Sequence, residues 1–272
     1  MTDIFNKSQE ASNFLSAYGS PTIGIIQGTG LSKFSEQLVN RFAINYSDIP
    51  HMPESTVATH EPVCTIGNIG DKTVIAFSGR FHYYEGHSME DVTFPVRVMQ
   101  QLGVTHLLMS NAAGGLTPLY TEGDIVMVKD HINTFPENPL RGVQDERLGV
   151  QFPDLSKAYQ ADVRDVIKAA CLAHDLNPQE GVYLGLQGPS LETPAEYKLY
   201  RHMGGDLIGM STIPEVIVAN QANIKVGVLS VVTNTFDPNR ITETTLEDVV
   251  EVVEQVEETL IKIIVEVVHE LT

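Results

Sequence analysis

Apolar residues in this chain recur in short β-branched runs separated by longer stretches of helical period. The first run, Thr22-Ile23-Gly24-Ile25-Ile26, stops at Gly28-Thr29-Gly30, the pattern of a buried strand feeding a glycine turn. Further runs lie at Val63–Ile69, Lys72–Ser78, 106–110, 124–129, 182–187, 206–210 and 226–233. Helical period marks Met89–Leu102, 160–174, Pro194–His202 and 214–223, and a polar helix is expected over residues 3–18. Over 245–271, Leu, Val and Ile at three- and four-residue spacing between glutamates predict an amphipathic helix despite the β-branched content. Alternating strands and helices predict an α/β fold with a twisted sheet flanked by helices. Val63–Ile69 and Lys72–Ser78, joined at Gly70-Asp71, read as a hairpin, so the sheet is expected to be mixed. No linker, repeat or low-complexity tract interrupts the pattern, and residues 1–272 are expected to form a single domain.

Composition narrows the function. Thirty-five acidic residues against 17 Lys and Arg give a net charge of −18. That balance excludes a broad nucleic-acid or anionic-membrane surface, which needs clustered cations, but leaves room for a small anion at a local positive spot. Cys64 and Cys171 stand far apart in no metal-like spacing, which fits a reducing cytoplasm. No apolar signal segment is visible near the N-terminus, and no run approaches the ~18–20 apolar residues of a membrane helix. The longest aperiodic stretch lies between Lys129 and Tyr159; its aromatic, arginine and proline content points to a lid or an interface arm.

Candidate chemistry gathers where the runs end, which is where open α/β sheets bind ligands. Gly28-Thr29-Gly30 resembles the start of a phosphate-cradling turn, although it matches neither the dinucleotide nor the Walker pattern. An ordinary tight turn is the plainer alternative. In the segment Gly79 to His87, an extended chain would point Arg80, His82 and Tyr84 the same way. A guanidinium beside an imidazole makes an oxyanion clamp, and a tyrosine can pack on a sugar face. Ser110-Asn111-Ala112-Ala113-Gly114-Gly115 admits a ligand close to the backbone. Glu192, in a Gly/Pro-framed loop, suits the N–H groups of a polar heterocycle, and Ser211-Thr212 before a helix suits an anion. Asn234 both donates and accepts, which suits a base edge presenting an acceptor at N7.

Taken in order, GTG at 28–30, GRFHYYEGH at 79–87, NAAGGL at 111–116, GPSLETPAE at 188–196, GMSTIPEVIVA at 209–219 and VTN at 232–234 resemble the trimeric purine nucleoside phosphorylases. The resemblance runs from about residue 20 to 260. It implies the nucleoside phosphorylase fold, a homotrimer, and reversible phosphorolysis of purine (deoxy)ribonucleosides to free base and (deoxy)ribose 1-phosphate. Orthophosphate is then a co-substrate, and neither a cofactor nor a metal is expected. Carried over by position, phosphate falls to Thr29, His60, Arg80, His82, Ala112 and Ser211. Ribose falls to Tyr84 and Met210, and the purine to Leu191, Glu192, Ile208 and Asn234. Catalytic roles fall to Asn234, Glu192 and His82, and Phe152 is expected to reach a neighbouring subunit's site.

Four positions depart from the family pattern. Thr29 replaces a serine but keeps the hydroxyl. Leu191 stands where a base-stacking phenylalanine is usual, and Thr235 where 6-oxopurine-specific members carry lysine. Leu246 replaces a histidine that contacts the 5′-hydroxyl, which would suit the 5′-methylthio substrate of methylthioadenosine phosphorylase, a relative of the same fold. Glu192 and Asn234 are the pair for 6-oxopurines such as inosine and guanosine, and they favour that substrate class. A nucleoside-binding protein without turnover is the alternative from another class, and the intact Arg80, His82 and Ser211 set argues against it. A nucleoside hydrolase would need an aspartate-rich calcium site that the sequence lacks.

Overall fold

A computed structural model describes residues 3–54, 62–236 and 245–272. Among these residues nine strands form one mixed sheet: β1 (Ile23–Gln27), β2 (Val39–Asn45), β3 (Val63–Ile69), β4 (Lys72–Ser78), β5 (His106–Gly115), β6 (Ile125–Asn133), β7 (Gln179–Gly185), β8 (Leu207–Gly209) and β9 (Lys225–Thr235). Their order is β2-β3-β4-β1-β5-β8-β7-β6-β9. β5 decides the shape. Along one edge it pairs with β9 from His106 to Gly115. Its other edge meets β1 over residues 106–109 and β8 at Gly114 and Gly115. The β5–β9 pairing closes five strands on themselves, leaving β1–β4 as an open wing.

Six α-helices among the described residues cover the sheet: α1 (Ile4–Leu15), α2 (Met89–Leu102), α3 (Ala161–Ala173), α4 (Pro194–His202), α5 (Ile213–Gln221) and α6 (Leu246–Glu270). α1, α2 and α5 bury Leu15, Val96 and Val216 on one face. α3 and α6 bury Ile167, Leu260 and Ile264 on the other. In α6 the buried positions 253, 257, 260, 264 and 267 recur every three or four residues, and that stripe overrides the weak helix propensity of its valines and isoleucines. Each fully buried aliphatic side chain contributes about 1.5–3 kcal/mol, against propensity differences of roughly 0.5 kcal/mol. Thr245 opens the helix with a reciprocal cap: its Oγ1 accepts from the Asp248 N–H, and the Asp248 carboxylate accepts from the Thr245 N–H.

The mixed α/β architecture, the β3–β4 hairpin and the terminal helix agree with the sequence reading. Three local expectations need correction. β2 is unforeseen, because a bulge between Val39 and Phe42 breaks the two-residue alternation and all but Ile44 of the strand is exposed. The strand expected to end at Ser110 continues to Gly115, so Asn111 to Gly115 are strand residues rather than a following turn. Small size serves close packing there: a Cβ at Gly114 would lie 3.1 Å from the Ile208 side chain. Finally, Tyr83–Glu85 forms a 3-10 turn instead of extended chain.

Candidate active site

The C-terminal ends of the strands surround a cavity of about 460 Å³. Thr29, Arg80, His82, Tyr84, Ala112, Leu191, Glu192, Ile208, Met210, Ser211 and Asn234 all line it. Residues separated by more than 200 positions thus meet in one space. His60 lies outside the described residues, as does the side chain of Leu246. Phe152 is 86% exposed and is not part of this chain's own cavity.

One end is built to hold an anion. Gly28 turns so tightly after β1 that a Cβ there would collide with the Ser110 carbonyl of β5. That same carbonyl accepts from Arg80 Nη1 at 3.0 Å. Arg80 Nη1 also donates to Ser211 Oγ at 3.1 Å and Thr212 Oγ1 at 3.4 Å. Arg80 Nε lies 3.0 Å from Glu215 Oε1, an ion pair lacking the alignment of a hydrogen bond. Glu215, on the first turn of α5, is 1% exposed. Arg80 Nη2 is buried with no hydrogen-bond partner among the described residues. A buried guanidinium nitrogen left unpaired costs on the order of 1–3 kcal/mol, so an acceptor belongs there.

Thr212 caps α5 from the left-handed region at φ +72°, an uncommon state for a β-branched residue, costing about 1–3 kcal/mol. The strain is held by a buried network. Asn111 Nδ2 donates to Thr212 Oγ1 at 2.9 Å, and Thr212 Oγ1 lies 3.0 Å from Ser211 Oγ. Two hydroxyls are thereby fixed at the positive end of α5 beside Arg80.

His82 sits at the rim with its Nδ1 2.6 Å from Glu85 Oε1, and Glu85 Oε1 also accepts from the His82 N–H at 3.1 Å. The carboxylate orients the ring so that Nε2 is the free nitrogen. The ring stacks on Tyr84 at 4.7 Å and 17°, which makes one flat wall. Burial raises the Tyr84 phenol above its usual pKa, with Glu85 adding to the rise and Arg80 opposing it.

The other end suits a heterocycle. Burial, chiefly, lifts the Glu192 carboxyl above the ordinary carboxylate range. Asn234 Oδ1 accepts from Thr233 Oγ1 at 3.3 Å, which leaves the amide N–H groups to face the cavity. Ile208 supplies an apolar floor, while Leu191 at the mouth is 54% exposed. Thr245 and Val249, from the start of α6, line the same cavity.

Glu215, Glu85 and Tyr197 escaped the sequence reading. The first two lie inside quoted motifs and have acid–base spacing from Arg80 and His82 only in the fold. Tyr197 carried a weak signal, an aromatic five residues after Glu192. Another residue outside the motifs, Glu257 of α6, holds the glycine turn: its Oε1 accepts from Ser32 Oγ at 2.5 Å and from the Lys33 N–H at 3.3 Å. Among the described residues, no three His, Cys, Asp or Glu side chains converge as a metal site.

A partly closed α/β sheet whose cavity sets a guanidinium and hydroxyls at one end and a carboxylate and an amide at the other points to a class of protein, and known proteins share it. The phosphorylase superfamily pattern matches residues 22–269. Within that class, the chain belongs to the purine nucleoside phosphorylase family. It is 42% identical to purine nucleoside phosphorylase 1 of Geobacillus stearothermophilus, covering 93% of this chain and 92% of that one. Identity to purine nucleoside phosphorylase 1 of Bacillus subtilis is 44%, covering 90% of each. A solved structure of isoform 2 of the Schistosoma mansoni purine nucleoside phosphorylase, in complex with cytosine and ribose-1-phosphate, superposes with a TM-score of 0.94. That match is 35% identical and covers 98% of this chain and 97% of the other. The Schistosoma mansoni enzyme in complex with inosine gives 0.93 at 35% identity, with the same coverage.

Proposed function

We propose that this cavity binds a purine nucleoside beside orthophosphate and exchanges the base for the phosphate, reversibly. The protein is a purine nucleoside phosphorylase, a pentosyltransferase. One observation carries the mechanistic reading: Arg80 Nη2, unpaired among the described residues and set beside the hydroxyls at the start of α5, shares a cavity with Glu192 and Asn234. Phosphate takes Arg80 Nη2, the hydroxyls of Thr29 and Ser211, the Ala112 backbone and His82. Ribose lies between Tyr84 and Met210. The purine packs on Ile208 and Leu191, with its N1–H on the Glu192 carboxylate and N7 on Asn234.

A phosphate oxygen attacks C1′ as the C1′–N9 bond breaks, and the bonding pair passes into the purine. Positive charge grows on the sugar and negative charge on the base. The adjacent phosphate stabilises the first by charge and proximity, and the Asn234 amide at N7 stabilises the second. Arg80 is already paired with Glu215, so the phosphate leans as much on neutral donors and the helix terminus as on net charge. Orthophosphate is the only partner the scheme needs, and no cofactor enters it. The substrates favoured are 6-oxopurine nucleosides, because Glu192 as a carboxylate accepts from N1–H.

Incubation with inosine, guanosine, adenosine and 5′-methylthioadenosine, with and without phosphate, tests the reading. Phosphate-dependent release of hypoxanthine or guanine is expected; release that ignores phosphate would sink phosphorolysis. Asn234→Ala should lower kcat far more than it raises the KM for phosphate, and equal effects would remove its assigned role. The working unit in this proposal is a homotrimer in which Phe152, 86% exposed, completes a neighbour's site. Sedimentation gives the mass, and a monomer with full activity would contradict it. Two free, buried cysteines suit a reducing cytoplasm.

A further inference from the structure

Tyr197 lies on the first turns of α4 and faces the cavity. Its ring stacks on Phe236 at 4.6 Å and 12°, and packs against the small cluster of Leu116, Leu184 and Ile208. Its hydroxyl lies within electrostatic reach of both base-end polar groups, the Glu192 carboxylate and the Asn234 amide, which line the same cavity. Asn234 Oδ1 is engaged by Thr233 Oγ1, so its N–H groups are the side of the amide left to face the phenol. The phenol O–H is then left to point toward the Glu192 carboxylate. Burial and the neighbouring carboxylate keep that phenol firmly protonated.

The next step rests on the reading above, in which Glu192 takes N1–H and Asn234 takes N7. On a purine, the edge between N1 and N7 is C6. A hydroxyl shared by those two residues therefore lies opposite the 6-substituent. We propose that the Tyr197 hydroxyl reads the substituent at purine position 6, which makes Tyr197 a specificity-determining residue. With a 6-oxopurine, the phenol turns its O–H from Glu192 to O6 while the vacated carboxylate takes N1–H. The exchange leaves no polar group unpaired. With a 6-aminopurine the phenol accepts from the amine, but the unprotonated N1 then faces the Glu192 carboxylate. Tyr197 thus selects a substituent that hydrogen-bonds well, oxo or amino, over one that does not, while Glu192 decides between oxo and amino.

The test compares inosine with 6-thioinosine, which keeps N1–H but offers a poor acceptor at position 6. In the unaltered protein, kcat/KM should favour inosine. Tyr197→Phe keeps the ring on Phe236 and should lower kcat/KM for inosine about tenfold, one hydrogen bond's worth, while 6-thioinosine changes less than about twofold. The KM for phosphate should not move. Equal losses on both nucleosides would make Tyr197 a mere support and overturn the proposal, as would an unaltered protein with no preference for inosine. Glu192→Gln separates the underlying reading: if inosine turnover ignores it, the base-edge assignment itself fails. A loss there, with no selectivity change in Tyr197→Phe, removes only the role given to Tyr197.

Discussion

α4 and α5 are each nine residues long, each carries a proline in its first turn, and each stands beside one end of the same cavity. Their construction is opposite. α4 has no buried residue and is started by Thr193, whose Oγ1 accepts from the Glu196 N–H while the Glu196 carboxylate accepts from the Thr193 N–H at 2.8 Å. α5 buries eight of its nine residues and begins at the strained Thr212, which makes no side-chain cap bond. The anion end is therefore part of the core, and any change there disturbs the fold. The base end adds a surface helix and a loop, held by its own cap, to the buried Ile208 of β8 and to Asn234 of β9. Chemistry is fixed where packing is dense, and selectivity can drift where it is not.

The sharpest way to break that contrast is Glu215→Ala. It strips the counter-charge from a buried Arg80 and should cost about 3–5 kcal/mol in chemical denaturation, with a large rise in the phosphate KM. A loss below roughly 1 kcal/mol, typical of an exposed pair, would mean that the anion end is not core-built.

Glu192→Gln should spare stability and phosphate binding while raising the inosine KM about tenfold or more, because a charged hydrogen bond is lost. Its pH profile sharpens the point. The folded-state pKa of Glu192 is raised, so base recognition by the carboxylate is present above that pKa and fades as pH falls through it, earlier than for an ordinary carboxylate. The same shift means the folded chain holds this proton longer than the unfolded one, so Glu192 subtracts stability as pH rises through the window. In the Gln variant this acid limb of kcat/KM should vanish; an unchanged limb would assign it elsewhere.

Thr193→Ala removes the cap of α4 and should cost about 1 kcal/mol in melting experiments, with a few-fold weaker nucleoside KM and no effect on phosphate. A phosphate effect of equal size would show the two ends to be coupled. Smallest of all, Leu191→Phe adds a ring at an exposed position and should tighten the nucleoside KM a few-fold, matching about 0.5–1.5 kcal/mol of stacking. No change, or a weaker KM, would mean the cavity mouth is closed by something other than residue 191.

Much of this molecule was legible beforehand. The strands β3 and β4 and the helices α2 and α4 fall at the expected boundaries, because buried runs and capped helices leave period and punctuation in the chain. β2 was not legible: its bulge erases the alternation that marks a strand. Nor was the length of β5, since Asn111 to Gly115 look like a turn until β8 and β9 are seen pairing with them. Eleven of the candidate site residues line one cavity, yet the groups that orient them did not announce themselves. Glu215 reads as one more acid in a first helical turn, and only its approach to Arg80 reveals its role.

Local chemistry and period sufficed to determine the α/β class and the residues bearing hydroxyl, guanidinium, carboxylate and amide at the strand ends. Those properties belong to each residue and its near neighbours. Only the tertiary structure decided that Arg80 Nη2 has no partner among the described residues, that Thr212 is held at positive φ, and that Tyr197 shares a cavity with Asn234. Each depends on partners tens to hundreds of residues away, brought together by the closure of β5 against β9, and no local pattern encodes such a distance.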